Sequence, residues 1–266
     1  MSVWFFSRCL ALCVAIGLSS SIAYADQLED GLHAYDAENY DVAIDLLLPL
    51  AEAGNPVAQY KVGVMYAHGR AVTQDYEEAA DWYEKSAAQG NENAQYNLGN
   101  LYLDGVGVPR DYKKAYELLF PLAEKGDADA QSSIGWLYSD GRGVPIDMEK
   151  ALIWYRKAAE QNDPVAQHAL GYFYAAGKGV SLDNAEALTW YEKSAAQLYP
   201  PALHAIGRHY WTGRGVPKDL VLAKMWFLLA LKNGSKAAIG DDRKLTAELT
   251  DAQLAKARQL ADSWRP

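Results

Sequence analysis

The chain has 266 residues, with 34 acidic and 25 basic side chains and a net charge of −9 at pH 7. This acidic balance argues against nucleic acid and anionic membranes as partners, because both carry negative charge themselves. The only cysteines, Cys9 and Cys13, lie in the first 25 residues, so no disulfide is available to the rest of the chain.

The first segment, residues 1–25, has the pattern of a secretory signal peptide. Arg8 supplies the positive charge, residues 9–18 form an apolar core, and residues 23–25 are a small-x-small cleavage site. We therefore expect cleavage between Ala25 and Asp26 and a periplasmic or secreted protein. The apolar core is shorter than the roughly 20 residues that cross a bilayer, so no integral membrane segment is predicted after cleavage.

From residue 55 onward the sequence repeats with a period of 36 residues. The glycines at this spacing are Gly63, Gly99, Gly135, Gly171 and Gly207, and the tyrosines are Tyr66, Tyr102, Tyr138, Tyr174 and Tyr210. Such a period predicts a solenoid, in which each unit buries its apolar face against its neighbours. The predicted units are 55–90, 91–126, 127–162, 163–198 and 199–234, with a helix pair before them (26–54) and capping helices after them (235–266).

Each unit is predicted to be a helical hairpin. Residues that favour the N-cap position precede the first helix of four of the five units. In the fifth unit this position is Tyr199, which is not a favoured N-cap residue. One period later it is Ser235, which again favours an N-cap. The favoured residues are Asn55, Asn91, Asp127 and Asp163. Aspartates such as Asp75 and Asp183 precede the second helix, and the glutamates three residues later, Glu78 and Glu186, indicate capping boxes. Thr250 and Gln253 indicate another box for the last helix.

Glycine, proline and tryptophan columns give three further predictions. A glycine inside a helix costs about 1 kcal/mol relative to alanine, so we expect another helix to approach closely at Gly63 and its equivalents. Pro49 and Pro121 fall late in predicted second helices, where we expect a bend. The tryptophans recur with the repeat, as packing residues do, which favours a place in the core. They are Trp82, Trp154, Trp190 and Trp226.

These columns resemble the Sel-one-like repeat family, a relative of the tetratricopeptide repeat. The family pattern reads here as Ala166, Leu170-Gly171-Tyr172-Phe173-Tyr174, Gly177-Lys178-Gly179-Val180, Asp183 and Ala187-Leu188-Thr189-Trp190-Tyr191. The departures are small: Ala71 replaces a loop glycine, and Leu118 replaces one tryptophan. The helix pair of residues 26–54 more closely resembles a plain tetratricopeptide hairpin. The resemblance implies an all-α, right-handed α-solenoid that acts in protein–protein interaction. Exported bacterial relatives serve as adaptors, regulators of envelope signalling or host-interaction factors.

The resemblance also implies that one face of the first helices lines a concave groove. In this chain that face lies opposite the apolar stripe and carries aromatic and arginine side chains, which are typical of binding hot spots. The candidate partner-binding residues are Tyr60, Tyr96, Asn100, Trp136, His168, Tyr172, His204, Arg208 and Trp211. The same aromatics are also consistent with packing between neighbouring units, and this alternative stays open.

The sequence gives little support for catalysis, a metal site or a cofactor. The Gly-x-Gly loops follow helices rather than strands, so they are interpreted as turns and not as phosphate-binding loops. His168 and His204 share a column but have no carboxylate in it, and His209 lies in an apolar column that predicts a packed ring. Asp241 and Asp242 are interpreted as helix-end charges or as solvated charges.

The sequence therefore predicts an exported scaffold or adaptor that binds a protein or a peptide, with a cell-envelope partner and a regulatory or host-interaction role as candidates. Some cysteine-rich relatives have been described as β-lactamases, so a β-lactamase-like or peptidoglycan-acting hydrolase is the alternative. The β-lactamase motifs Ser-x-x-Lys, Ser-Asp-Asn and Lys-Thr-Gly do not occur in the sequence. A plain structural spacer is the third interpretation.

Overall fold

The computed structural model describes residues 25–265 of the chain. Within this range the protein contains fourteen α-helices and no β-strand. The predicted signal peptide, apart from Ala25, lies outside the described residues. Among the helices of residues 25–265, none combines the length and the apolar character that a bilayer span requires.

The helices follow one another with short turns between them. The first, α1, covers residues 25–36, and it is followed by α2 (Tyr40–Glu52), α3 (Pro56–His68), α4 (Tyr76–Ala87), α5 (Glu92–Asp104), α6 (Tyr112–Lys125), α7 (Ala128–Asp140), α8 (Met148–Glu160), α9 (Pro164–Ala176), α10 (Asn184–Ala195), α11 (Pro200–Thr212), α12 (Leu220–Lys232), α13 (Ala238–Glu248) and α14 (Asp251–Ser263).

The chain divides into two compact units, one up to Leu118 and one from Leu119 onward. In unit 1, α3 packs on α2 and α4, and α4 packs on α5. In unit 2, each helix from α7 to α12 packs on the next, and α12 also contacts α13 and α14. Each unit is thus built from helical hairpins stacked in sequence order, and the predicted α-solenoid is confirmed.

Side-chain caps set the start of most first helices. The side chains of Asn55, Asn91, Asp127 and Asp163 accept hydrogen bonds from backbone N–H groups one turn into α3, α5, α7 and α9, as predicted. Tyr199 makes no side-chain cap. The prediction for Ser235 was wrong, because α13 begins only at Ala238. The residues between form a turn, in which the Ile239 N–H donates to the Lys236 carbonyl.

The second helices begin with aspartate caps, but two predicted capping boxes were wrong. Asp75 and Asp183 accept backbone hydrogen bonds as expected. In a capping box, the glutamate side chain accepts a hydrogen bond from the backbone N–H of the N-cap residue. Here the N–H groups of Asp75 and Asp183 donate instead to the carbonyl oxygens of Tyr66 and Tyr174, at 3.0 and 2.9 Å. The preceding helix therefore supplies the acceptor, and Glu78 and Glu186 are not needed. The box of Thr250 and Gln253 is confirmed.

The recurring helical glycines lie where an aromatic ring of the second helix approaches the first. A Cβ at Gly171 or Gly207 would stand 2.5 Å from the ring of Tyr191 or Phe227, and at Gly63 it would stand 2.8 Å from Tyr83. Only glycine leaves room for such a contact, so the predicted close approach is confirmed at these positions. Pro49 and Pro121 lie inside α2 and α6, which continue through them; the bend stays a prediction.

The tryptophan column belongs to the core, as predicted. Trp82 and Trp154 are buried, and Trp190 and Trp226 are half-buried. A lysine three residues later covers each of the first three rings at 3.9 to 4.1 Å: Lys85, Lys157 and Lys193. Where Leu118 replaces the tryptophan, a cavity of about 350 Å³ opens beside Leu98 and Tyr102.

Buried glutamines form a polar seam between successive repeats. Gln59, Gln131 and Gln167 are almost fully buried and donate to carbonyl oxygens near the end of the preceding second helix. Gln89, Gln161 and Gln197 then donate to the side-chain oxygens of these three residues at 2.8 to 2.9 Å. Because each buried amide has partners, the seam avoids the cost of an unsatisfied polar group. It also fixes the register between neighbouring hairpins.

Candidate functional site

The candidate site is a face of unit 2 formed by α7, α9 and α11. Equivalent positions on these helices carry Trp136, Tyr172 and Arg208, and three residues later Ser139, Ala175 and Trp211. We call these six residues the groove face. Tyr172 is 46% exposed and Arg208 is exposed, whereas Trp136 and Trp211 are half-buried.

Tyr172 separates two cavities on the groove face. One, of about 290 Å³, is lined by Trp136, Ser139, His168 and Lys178 among others. The other, of about 280 Å³, is lined by Ala175, Arg208, Thr212 and Arg214. Both cavities include Tyr172 in their walls. An exposed aromatic ring between two depressions offers a partner an apolar anchor point with polar groups on both sides.

Three other predicted site residues are engaged inside unit 2. The ring of His168 packs between Tyr191 and Tyr199, with centroids 5.5 and 5.6 Å away. His204 donates from Nε2 to Asp241 at 3.0 Å, and Trp211 packs edge-on against the buried ring of Phe227. His168 and His204 are therefore held by contacts inside unit 2, and Trp211 is the member of the groove face that the core braces.

The predicted site residues of unit 1 are less exposed than Tyr172. Tyr60 is half-buried, packs against the ring of Tyr83 at 6.1 Å, and has a raised pKa because of its burial. Tyr96 and Asn100 are also half-buried. The first repeat of unit 1 has Val64 and Ala67 at the positions equivalent to Trp136 and Ser139, and both are buried. The wide aromatic surface is therefore a property of unit 2.

Burial, with a smaller contribution from the charge of His204, lowers the pKa of His168 from 6.5 to about 4. His209 is buried in its apolar column, as predicted, and burial lowers its pKa too. Its Nδ1 donates to the carbonyl oxygen of Arg214 at 2.8 Å. Both rings are therefore neutral near pH 7 and carry no charge into the groove face.

The lowered pKa of His168 predicts a pH-dependent stability. Since the pKa is about 4 in the folded and 6.5 in the unfolded state, unfolding takes up a proton between these values, and stability falls as pH falls through this window. The loss between pH 7 and pH 5 is about 2 kcal/mol. We expect His168→Gln to remove that part of the pH dependence of the urea midpoint. The exposed His68→Gln is the control; equal pH dependence in both variants would contradict the prediction.

A basic column beside the groove face was missed by the sequence analysis. The residue between the two loop glycines is Arg142, Lys178 or Arg214 in the three repeats of unit 2. Gly177 adopts a φ of 63° and Gly213 a φ of 71° at the helix ends, and the next N–H groups, of Lys178 and Arg214, return to carbonyls of α9 and α11. The turn thereby directs these cations back along the groove face. Their 36-residue spacing was the available signal.

Asp241 lies in the first turn of α13, which agrees with the helix-end interpretation, but neither Asp241 nor Asp242 is a solvated charge. Asp241 accepts the bond from His204 and lies 3.7 Å from the guanidinium of Arg208. Asp242 pairs at 2.5 Å with Lys224, which is only 5% exposed. Lys224 also donates to Thr246 at 2.6 Å. Both carboxylates therefore tie α13 to the last repeat.

The groove face shows no sign of a catalytic arrangement in the residues it brings together. Ser139 donates its hydroxyl to the Trp136 carbonyl, and Thr212 donates to the Arg208 carbonyl. A nucleophile would instead face a base that accepts its proton. Among residues 25–265, His, Cys, Asp and Glu side chains form no group of three or more that is suited to a metal ion.

Comparison with known proteins places the repeat units in one family. The model of the Sel1 repeat matches residues 56–91, 93–127, 128–163, 164–197 and 200–235. No curated protein is significantly similar to the chain.

Two solved structures are similar along most of the chain. A Sel1 repeat protein from Oxalobacter formigenes is 31% identical, with a TM-score of 0.72 over 88% of this chain and 98% of that one. The protein c5321, a protective antigen present in uropathogenic Escherichia coli strains, displays the Sel1-like fold and is 32% identical, with a TM-score of 0.73 over 91% of this chain. The match covers 53% of c5321, so this chain spans about half its length. With five repeats matched by the family model, the chain belongs to the Sel1 repeat family.

Proposed function

We propose that this protein is an exported, non-enzymatic adaptor that binds another protein, or an extended peptide, along the groove face of unit 2. The observation that carries the proposal is Tyr172, which is 46% exposed between two cavities. A large ring held in this way costs little entropy to immobilise and buries much apolar area on binding.

Neighbouring contacts hold the groove face in one arrangement before a partner arrives. Lys178 lies 4.9 Å from the centre of the Tyr172 ring, and Arg142 lies 4.7 Å from the Trp136 ring. Trp211 is braced by the fully buried Phe227. Side chains that are already positioned lose less conformational freedom on binding, which favours affinity.

Export rests on the predicted signal peptide in residues 1–25. The similarity to c5321 is in keeping with it, since a protective antigen is reached by antibodies. The purified periplasmic or secreted protein is expected to begin at Asp26.

The test is binding of peptides selected from a phage-displayed library of random 12-residue sequences. Tyr172→Ala is expected to weaken the selected peptides by about 2 kcal/mol, or roughly 30-fold in Kd, as at other aromatic hot spots. Trp136→Ala should weaken them as well. Binding is measured by fluorescence anisotropy, with helical circular dichroism as the check on folding.

The matched control is Ile153→Ala on α8. Ile153 is 54% exposed, comparable to Tyr172, but it lies on a second helix outside the groove face. Its replacement is expected to leave the affinity unchanged. Peptides that bind equally well to the Tyr172→Ala variant and to the unaltered protein would refute the groove face as the binding surface.

A further inference from the structure

Basic side chains cluster on and beside the groove face although the protein as a whole is acidic. Four cations stand along it: Arg142, Lys178, Arg208 and Arg214. Two of the lining cations, Arg208 and Arg214, belong to the cavity beside Ala175, and Lys178 belongs to the cavity beside Trp136. On a chain with a net charge of −9, such a concentration of cations creates a local field that attracts the opposite charge.

Two acidic groups that contact these cations are already engaged. Asp140 accepts a hydrogen bond of 2.7 Å from Arg142, and Asp241 accepts one from His204 while Arg208 lies 3.7 Å away. The Arg208 side chain is 61% exposed, so this ion pair is screened by water and leaves the guanidinium accessible.

Lys178 and Arg214 have no carboxylate partner among the described residues. Lys178 is exposed and lies over the ring of Tyr172, while Arg214 is exposed at the rim of its cavity. Both Arg214 and Arg208 act on the buried ring of His209, where their positive charge contributes to its lowered pKa. The two guanidinium groups thus converge on one part of the groove face.

Unit 1 provides a contrast at the equivalent loop position. There Arg70 donates to the Tyr35 hydroxyl at 2.6 Å and lies 4.9 Å from the Tyr40 ring, so its guanidinium serves internal packing. The next equivalent residue is Val106, which has no charge. Cations available to a ligand are therefore a feature of the groove face and not of the repeat in general.

Given the proposed function, on which this step rests, we infer that the partner segment is acidic and that its Asp or Glu side chains bind Lys178, Arg208 and Arg214 around Tyr172. Guanidinium groups suit carboxylates because they donate two parallel hydrogen bonds. An aromatic or aliphatic side chain of the partner then packs on Tyr172, between the two charged contacts.

The same random 12-residue library tests the inference. Selection on the unaltered protein is expected to enrich Asp and Glu, and the selected peptides should bind more weakly as NaCl is raised. Lys178→Gln/Arg214→Gln should weaken them by about threefold to tenfold, as loss of two exposed ion pairs does. The control, Lys236→Gln/Lys244→Gln, removes the same charge from exposed sites on unit 2 outside the groove face and should have no effect.

Charge reversal sharpens the test, because it predicts a new preference instead of a loss. Selection on Lys178→Glu/Arg214→Glu is expected to enrich Lys and Arg. Synthetic peptides distinguish a side-chain carboxylate from the carboxylate of a chain end. Replacing Glu by Gln in the peptide should weaken binding, whereas amidating its C-terminus should not. The opposite result would assign the site to a chain end and overturn the inference.

The outcomes separate this inference from the proposed function. Peptides that need Tyr172 but show no acidic enrichment, or that bind the Lys178→Gln/Arg214→Gln variant unchanged, would overturn the inference and leave the groove face as a binding surface. Peptides that do not need Tyr172 at all would refute both.

Discussion

Replacing Asp242 with alanine is expected to destabilise the C-terminal end of unit 2 by about 3–5 kcal/mol, because it leaves the ammonium group of Lys224 buried without its counter-charge. Lys224 is 5% exposed and donates to Asp242 at 2.5 Å. Urea unfolding at pH 7 measures the loss. Lys244→Ala, at an exposed position of the same helix α13, is the control and should change little.

The double variant Lys224→Leu/Asp242→Ile should behave differently from the single one. One repeat earlier, the same two positions hold Leu188 and Ile206, which are both buried. Replacing a buried ion pair by packed apolar residues is often neutral or stabilising by about 1–4 kcal/mol. The expected result is therefore recovery of stability in the double variant. If Asp242→Ala alone proved harmless, the pair would not hold α13 in place.

The pair also predicts where the chain opens first when it is broken. Terminal units of a solenoid have only one neighbour and unfold most readily. Loss of the contact between α12 and α13 should therefore expose the connecting turn after Gly234 to proteolysis. Limited digestion of Asp242→Ala, followed by mass spectrometry, is expected to give a fragment that ends near this turn, whereas the double variant should resist cleavage.

Gly207→Ala and Gly240→Ala are expected to change stability in opposite directions, although both place alanine inside a helix. A Cβ at Gly207 would stand 2.5 Å from the ring of Phe227, which is fully buried. Overpacking of this kind costs about 1–3 kcal/mol, more than the roughly 1 kcal/mol that alanine gains in helix propensity. We expect a net loss of up to about 2 kcal/mol.

A Cβ at Gly240, in α13, would meet no atom within 4 Å, so the helix gains alanine without a clash. The expected result is a stabilisation of about 0.5–1 kcal/mol. Thermal or urea unfolding compares the two variants. A gain in stability with Gly207→Ala would show that the contact with Phe227 is not restrictive. In the Gly207→Ala background, Phe227→Leu should cost less than in the unaltered protein, because the two residues are coupled.

The sequence predicted the helices well where the controlling interactions are local. Asn91 caps α5 through a bond to Ala94, three residues away, and α5 ends at Asp104, as the glycine after it indicates. Caps and left-handed glycines act within one helical turn, so their residues are neighbours in sequence. The capping boxes predicted at Asp75 and Asp183 failed, because the N–H groups of these two residues donate to carbonyl oxygens of the preceding helix.

The candidate site was predicted only in part. Helical spacing placed Trp136, Tyr172 and Arg208 on one face of successive helices, and the structure gives them that arrangement in unit 2. Spacing does not show which side chains of a face are covered by their neighbours. His168 and Trp211 were therefore predicted to bind a partner in the same way as Tyr172, although both pack against neighbouring aromatic rings. The basic residues Lys178 and Arg214 recur at 36-residue spacing in the sequence. That their side chains lie along the groove face depends on the left-handed turns at Gly177 and Gly213.

By itself the sequence determined the helical hairpin, the number of repeats and the family, because each of these depends on contacts that recur at a fixed spacing. Only the tertiary structure decided which side chains are open and which are paired. His204 meets Asp241 across 37 positions, and Lys224 meets Asp242 across 18. These partners come together through the packing of different helices, and a pair that occurs once leaves no period in the sequence.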